Sequence, residues 1–137
     1  MNLRTIIAFI ILMALFSCKN TIGTDCTYTQ YQGKARIISI DNAPINENNC
    51  PVNPKKILFV FTPNDTTVRS NYLFKNWSDT SSLTVNGLNP SQLFLDSLHI
   101  TVGNEFNSNR QEITQGTCTP VLFNFTEIDL NPQSGCW

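Results

Sequence analysis

Ten carboxylates, five cysteines and a single histidine are the side chains from which this 137-residue chain could build a reactive centre. A serine or cysteine nucleophile normally needs an imidazole within hydrogen-bond reach, and His99 is the one candidate. No nucleophile-elbow pattern accompanies it, and alternation around it reads as a strand with His99 on the outward face. The carboxylates could supply a glycosidase pair, but that chemistry depends on a spatial separation of about 5 to 9 Å that residue order does not give. Asp41 to Asn49 is rich in oxygen ligands yet lacks the Asp-x-Asp-x-Asp-Gly spacing of a calcium loop, so its asparagines read as turn formers. No Cys-x-x-Cys spacing points to zinc or to a redox pair, and His99 lies far in sequence from every cysteine. The residues therefore name no catalytic group, metal ligand or cofactor.

The elements that would position any site read as short strands. Lys56 to Thr62 alternates Ile57, Phe59 and Phe61 against Leu58 and Val60, which predicts a central strand covered on both faces. Ala35 to Ile40 suits a second strand, and the Asn- and Pro-rich stretch Asp41 to Pro54 suits a long loop. Tyr72 to Trp77 and Leu83 to Val85 read as short strands, the latter closed by the hairpin signal Asn86-Gly87. Asn89-Pro90 reads as an N-cap with proline at the first helical position, followed by one brief helix carrying Leu93, Phe94 and Leu98. Leu98, Ile100 and Val102 alternate as a half-buried strand, and Val121, Phe123 and Phe125 as a last one. Short strands at turn-punctuated intervals predict an all-β domain, a single antiparallel β-sandwich or small barrel with one short helix.

The amino terminus carries an address. Asn2, Leu3 and Arg4 precede eleven uninterrupted apolar residues, Ile6 to Phe16, which is the anatomy of a signal peptide. The run is shorter than the roughly 17 residues that the shortest membrane-crossing helix needs. Leu15-Phe16-Ser17-Cys18 resembles the lipobox of bacterial lipoproteins, of the Bacteroidota type in its Phe-Ser-Cys-Lys ending, with Phe16 where a small residue is commoner. The resemblance implies that residues 1–17 are removed and that Cys18 becomes the lipidated amino terminus. Two or three acyl chains, at about 0.8 kcal/mol per buried methylene, make such attachment effectively permanent. Lys19 to Gly23 lacks the acidic residues that surface-exported members of that type carry, so the resemblance implies an outer-membrane protein facing the periplasm.

Behind the leader, 120 residues carry eight Lys and Arg against ten Asp and Glu. That is one domain's length, and its scattered cations offer no footprint for nucleic acid. Residues 18–32 read as the lipidated cysteine with a polar, flexible tether, and 33–137 as the folded domain. Setting Cys18 aside for lipid leaves Cys26, Cys50, Cys118 and Cys136, an even number that suits two disulfides in an oxidising compartment. Three pairings are possible, and the sequence-local one, Cys26 with Cys50 and Cys118 with Cys136, is the expectation.

Tyr28, Tyr31, Tyr72, Trp77 and Trp137 could form an aromatic platform for a sugar ring or a partner protein, although such side chains serve more often in cores and rims. Trp137 directly follows Cys136 and reads as a plug. Asp65-Thr66-Thr67 and Asp96-Ser97-Leu98 match an O-glycosylation sequon known in the Bacteroidota type, making Thr66 and Ser97 candidate glycosylation sites. The sequence thus predicts a lipid-anchored envelope protein acting without catalysis through binding or assembly. Its expected contacts are the membrane, through its lipid, and a protein or glycan partner. A small envelope hydrolase and a glycan-binding accessory module are the alternatives. The amide-rich Asp41 to Pro54 loop and Trp77 are the expected recognition elements.

Overall fold

The computed structural model describes residues 25–45, 51–68, 70, 77 and 79–130. Five strands form one antiparallel sheet, curled into a half-barrel with one short helix against its inner face. In chain order they are β1 (Thr27–Asn42), β2 (Lys55–Pro63), β3 (Thr80–Leu83), the helix α1 (Gln92–Ser97), β4 (Glu105–Gln115) and β5 (Val121–Phe125). The order across the sheet is β3-β2-β1-β4-β5. Of the two all-β forms expected, the described residues take the barrel-like one.

Alternation sets the two faces. Ala35 and Ile37 of β1, Ile57, Phe59 and Phe61 of β2 and Phe125 of β5 are buried, joined by Leu83, by Leu95 of α1 and by Ile100 and Ile128. Burying each large apolar side chain contributes about 1.5 to 3 kcal/mol. Aromatic edges knit the layer, with Phe59 meeting Phe123 at 4.9 Å and Phe125 at 5.3 Å between ring centroids. Leu58 and Val60 lie half-buried on the opposite face. The central position belongs to β1, not β2 as the apolar run suggested. A bulge between Ile37 and Ser39 breaks the β1–β2 register and sharpens the local twist. Where β2 ends, Gly33 pairs with Pro63. A Cβ there would collide with the Thr62 carbonyl oxygen and lie 2.6 Å from the Phe61 ring, so only glycine allows this close approach.

Thr27 to Gln32, read from sequence as tether, is the first third of β1, paired to β4 from Thr27↔Gln115 to Gln32↔Asn109. Its polar composition is tolerated because the outward side chains face solvent. The disulfide corrects the sequence-local pairing: Cys26 bonds Cys118, with Cα atoms 6.2 Å apart and a sequence separation of 92. Antiparallel β1 and β4 bring the start of one beside the turn after the other, so strand adjacency, rather than distance along the chain, selects the partner. Gly116, at φ +99°, lies so close that a Cβ would sit 2.6 Å from the Cys26 sulfur. Closing a loop of this length restricts the unfolded chain by about 4 to 5 kcal/mol in the chain-entropy account. Cys18, Cys50 and Cys136 lie outside the described residues.

The stretch expected as a strand from Leu98 to Val102 is a helix ending. Ile100 N–H donates to the Leu95 carbonyl at 2.9 Å and His99 N–H to that of Asp96 at 3.2 Å, the paired bonds of a Schellman cap. His99 has φ +53° at the position glycine usually takes, and Leu95 and Ile100 are both buried in the core. The helix starts two residues later than expected, at the N-cap Ser91, whose side chain accepts from Phe94 N–H. Pro90 cannot join it because its carbonyl accepts from Lys55 N–H at 2.8 Å. Asn86-Gly87 does close a two-residue turn, with both φ positive and Val85 and Leu88 exchanging backbone bonds. The adjoining strand runs Thr80–Leu83, not Leu83 to Val85. Of the expected strand Tyr72 to Trp77, only Trp77 lies among the described residues.

Candidate functional site

Phe106 of β4 packs against the core, but the next three inward positions are polar. Ser108, Arg110 and Glu112 point into the half-barrel beside Tyr31 and Phe123, and all three are buried. Arg110 Nη2 lies 2.9 Å from Glu112 Oε1, and the two side chains are 4% and 0% exposed. The same Glu112 oxygen accepts from Ser70 Oγ at 2.7 Å. The guanidinium carbon lies 5.1 Å from the centroid of Trp77 and 5.8 Å from that of Phe123, both within cation–π range. Trp77 meets Tyr31 edge-on at 4.9 Å and donates through Nε1 to the Val68 carbonyl. Burial, reinforced by the negative charge of Glu112 and partly offset by Arg110, raises the Tyr31 phenol above its ordinary value of 10.0. This cluster ties Ser70 and Trp77 to the sheet. Tyr31 and Trp77 are half-buried, and one face of Trp77 is turned to Arg110. Tyr28 projects elsewhere, its hydroxyl donating to the Thr119 carbonyl at 3.0 Å. Tyr72 and Trp137 lie outside the described residues.

The other residues singled out from the sequence are scattered. His99 is exposed on the helix cap. Thr66 is exposed in a turn held by Asp65, whose carboxylate accepts from Thr67 Oγ1 and Thr67 N–H. Those two bonds, the side-chain one foremost, hold Asp65 below its ordinary value of 3.8. Ser97 is exposed as well, and its hydroxyl donates to the Phe94 carbonyl. Of the stretch expected as the Asp41 to Pro54 loop, Asp41 and Asn42 instead end β1, Asn42 accepts from Lys55 Nζ at 2.6 Å, and Asn46 to Cys50 lie outside the described residues. Carboxylates are dispersed: Glu105 meets Lys34 at 3.5 Å, Glu127 holds the Asn107 carboxamide and Asp96 holds Gln92. Among the described residues no three His, Cys, Asp or Glu side chains gather into a metal-binding group, and no helix is long and apolar enough to cross a membrane.

The outer face of the sheet does gather functional groups, and of one kind. Cross-strand register aligns Gln32 of β1, Asn109 of β4 and Asn124 of β5 in one row, and Gln30 with Gln111 in the next. Asn64, just past β2, extends the first row by donating its backbone N–H to the Gln32 carbonyl at 2.9 Å. Asn109 and Gln111 are half-buried and the other four are exposed. Among the described residues none of these six carboxamides has a hydrogen-bond partner. Three shallow depressions of about 320, 230 and 270 Å³ share Asn64 in their walls. One runs over Lys34, Arg36 and Thr62, one over Gln32, Asn107 and Asn109, and one past Gln30 and Tyr31.

Sequence reasoning missed this face, although a signal for it was present. Glutamines at 30 and 32 and amides at 107, 109 and 111 recur with period two, which on a strand means one face. With this geometry in hand, comparison of the chain with family models, curated proteins and solved structures returned no match.

Proposed function

We propose that this protein is a lipid-anchored component of a bacterial cell envelope, held by an acylated Cys18, that acts by binding and not by catalysis. Its recognition surface is the open face of the sheet. The observation carrying this reading is the division of polar groups between the two faces. Inside, the buried charges hold one another; outside, six carboxamides in cross-strand register have no partner among the described residues. Unpartnered, exposed donors and acceptors on a rigid sheet cost little to bring to a ligand, because the backbone carrying them is already ordered. The lipid half of the reading rests on Leu15-Phe16-Ser17-Cys18. It is supported by the disulfide at Cys26, a bond that persists in oxidising compartments such as the periplasm.

With β1 starting at Thr27, the tether is shorter than the sequence implied. Eight residues from Cys18 to Cys26 span about 25 Å when extended, which holds the Cys26 end of the half-barrel close to the lipid surface. Thr66 and Ser97, both exposed, remain the candidates for O-linked modification.

Growth on labelled palmitate tests the anchor. The wild type should carry label and sediment with membranes, and Cys18→Ala should lose both. A wild type that stays soluble, or a labelled Cys18→Ala protein, would sink the proposal.

A further inference from the structure

We infer that the ligand of the open face is an extended, neutral polysaccharide. The inference rests on the binding reading above and names the ligand class for that same surface.

Charge argues first. Lys34 is paired with Glu105 at 3.5 Å, and Arg36 stands directly across from Glu105 in the strand register. Near the amide rows Lys34 and Arg36 thus have the Glu105 carboxylate beside them, the Glu127 carboxylate lies on Asn107, and no cation cluster of the kind that grips phosphates, sulfates or uronates is formed. Hydrophobicity argues next. The cores of protein–protein interfaces are enriched in aromatic residues, methionine and arginine. Here the outward apolar side chains nearest the amide rows are Leu122, 38% exposed, and the half-buried Val60.

What the face does offer is carboxamides, each with two donors and one acceptor oxygen. A sugar hydroxyl is likewise donor and acceptor at once, so either group of a carboxamide finds a use whichever way the hydroxyl turns. Geometry supplies the shape of the ligand. Neighbouring strands lie about 4.8 Å apart, so Asn124, Asn109, Gln32 and Asn64 form a line about 14 Å long across the sheet. Gln111 and Gln30 lie one alternation away along β4 and β1. A line of single contacts over shallow depressions suits a chain of linked sugars lying across the strands better than a single ring enclosed in a pocket. Each contact is weak, and many tethered copies on one surface would add avidity along a polymer.

The test is affinity electrophoresis of the full, detergent-solubilised protein. The gels contain, one at a time, α-glucan, β-glucan, xylan, mannan, galactan or fructan, with alginate and polygalacturonate as acidic counterparts. At least one neutral polymer should retard the wild type, and raised salt should not abolish the effect. Asn109→Ala should weaken that retardation about fivefold, the loss of one net hydrogen bond. Gln32→Ala combined with Asn109→Ala should weaken it further, with unchanged thermal midpoints showing that the variants are folded. Retardation by acidic polymers alone, relieved by salt or by Arg36→Ala, overturns the inference, and so does neutral binding that both substitutions leave intact. A photo-crosslinker at position 109 separates the two failures. If no polymer binds but the crosslinker joins an envelope protein in intact cells, the polysaccharide is wrong and the binding surface stands. If neither occurs, both fall.

Discussion

Along β4, Ser108, Arg110 and Glu112 point inward and are buried, while Asn109 and Gln111, one residue away on the same strand, point outward. The inward charged pair is held by ion pairing, by Ser70 and by the faces of Trp77 and Phe123. The outward amides are held by nothing among the described residues. Both sets are polar and share one backbone, so polarity does not distinguish structural groups from groups free to recognise something else. Whether the chain supplies partners does. A buried charge without a partner costs several kcal/mol, whereas an exposed amide without one exchanges bonds with water at little cost.

The largest break in this comparison comes from removing half of the inner pair. Glu112→Ala should lower unfolding free energy by about 3 to 5 kcal/mol, because the Arg110 charge stays buried without its carboxylate. Replacing both together, Arg110→Met with Glu112→Leu, should recover most of that loss. Urea titrations of the three variants against wild type check it. A double variant no better than the single one would show that the pair matters for more than mutual compensation.

Gly33→Ala should follow at about 1 to 3 kcal/mol, the usual cost of forcing atoms into a filled space. The added methyl meets the Thr62 carbonyl and the Phe61 ring, so the curl of the sheet must open between β1 and β2. Urea unfolding measures the cost, and Gly87→Ala, with nothing within 4 Å but φ +79°, separates crowding from backbone strain.

Legibility in the sequence followed the same division between faces. Strands whose inward positions are apolar, such as β2 and β5, announced themselves through period-two hydrophobicity, and Asn86-Gly87 marked its turn. β4 carried no such signal because, after Phe106, its inward positions are Ser108, Arg110 and Glu112. With them hidden, the whole of Glu105–Gln115 read as featureless. The start of β1 was lost for a related reason, its glutamines and threonines resembling tether. Leu98 and Ile100 misled in the other direction, since helix caps also place apolar residues two apart. The disulfide partner of Cys26 followed from the β1–β4 pairing, and without β4 it could not be inferred. The candidate site straddles β1, β4 and β5, so it became visible only when the missed strand was in place.

Alkaline pH probes the inner face more gently. The Tyr31 phenol is raised above 10.0, chiefly by burial and then by Glu112, so the folded state holds this proton more tightly than the unfolded chain does. The stabilisation is complete below pH 10 and is lost as pH rises through the folded value. Stability should therefore fall on the alkaline side, and Tyr31→Phe should flatten that part of the profile while leaving neutral pH nearly unchanged. Unfolding midpoints measured across the alkaline range, with phenolate absorbance followed in parallel, give the test. A profile unchanged by Tyr31→Phe would place the alkaline sensitivity on another group.

The smallest effect is expected on the outer face. Gln32→Ala and Asn109→Ala each remove a carboxamide that no described residue contacts, from positions directly opposite in the β1–β4 ladder. The backbone bonds of that ladder do not involve the side chains, and no cavity forms because both groups border solvent. Surface substitutions of this kind stay within about 0.5 kcal/mol, so the double variant should unfold at nearly the wild-type urea concentration and with the same slope. Glycines at these positions would not serve, since they would loosen the strands themselves. A loss above about 1 kcal/mol for the double variant would mean that the amides brace the ladder across β1 and β4. The open face would then be structural like the inner one, and the contrast between them would disappear.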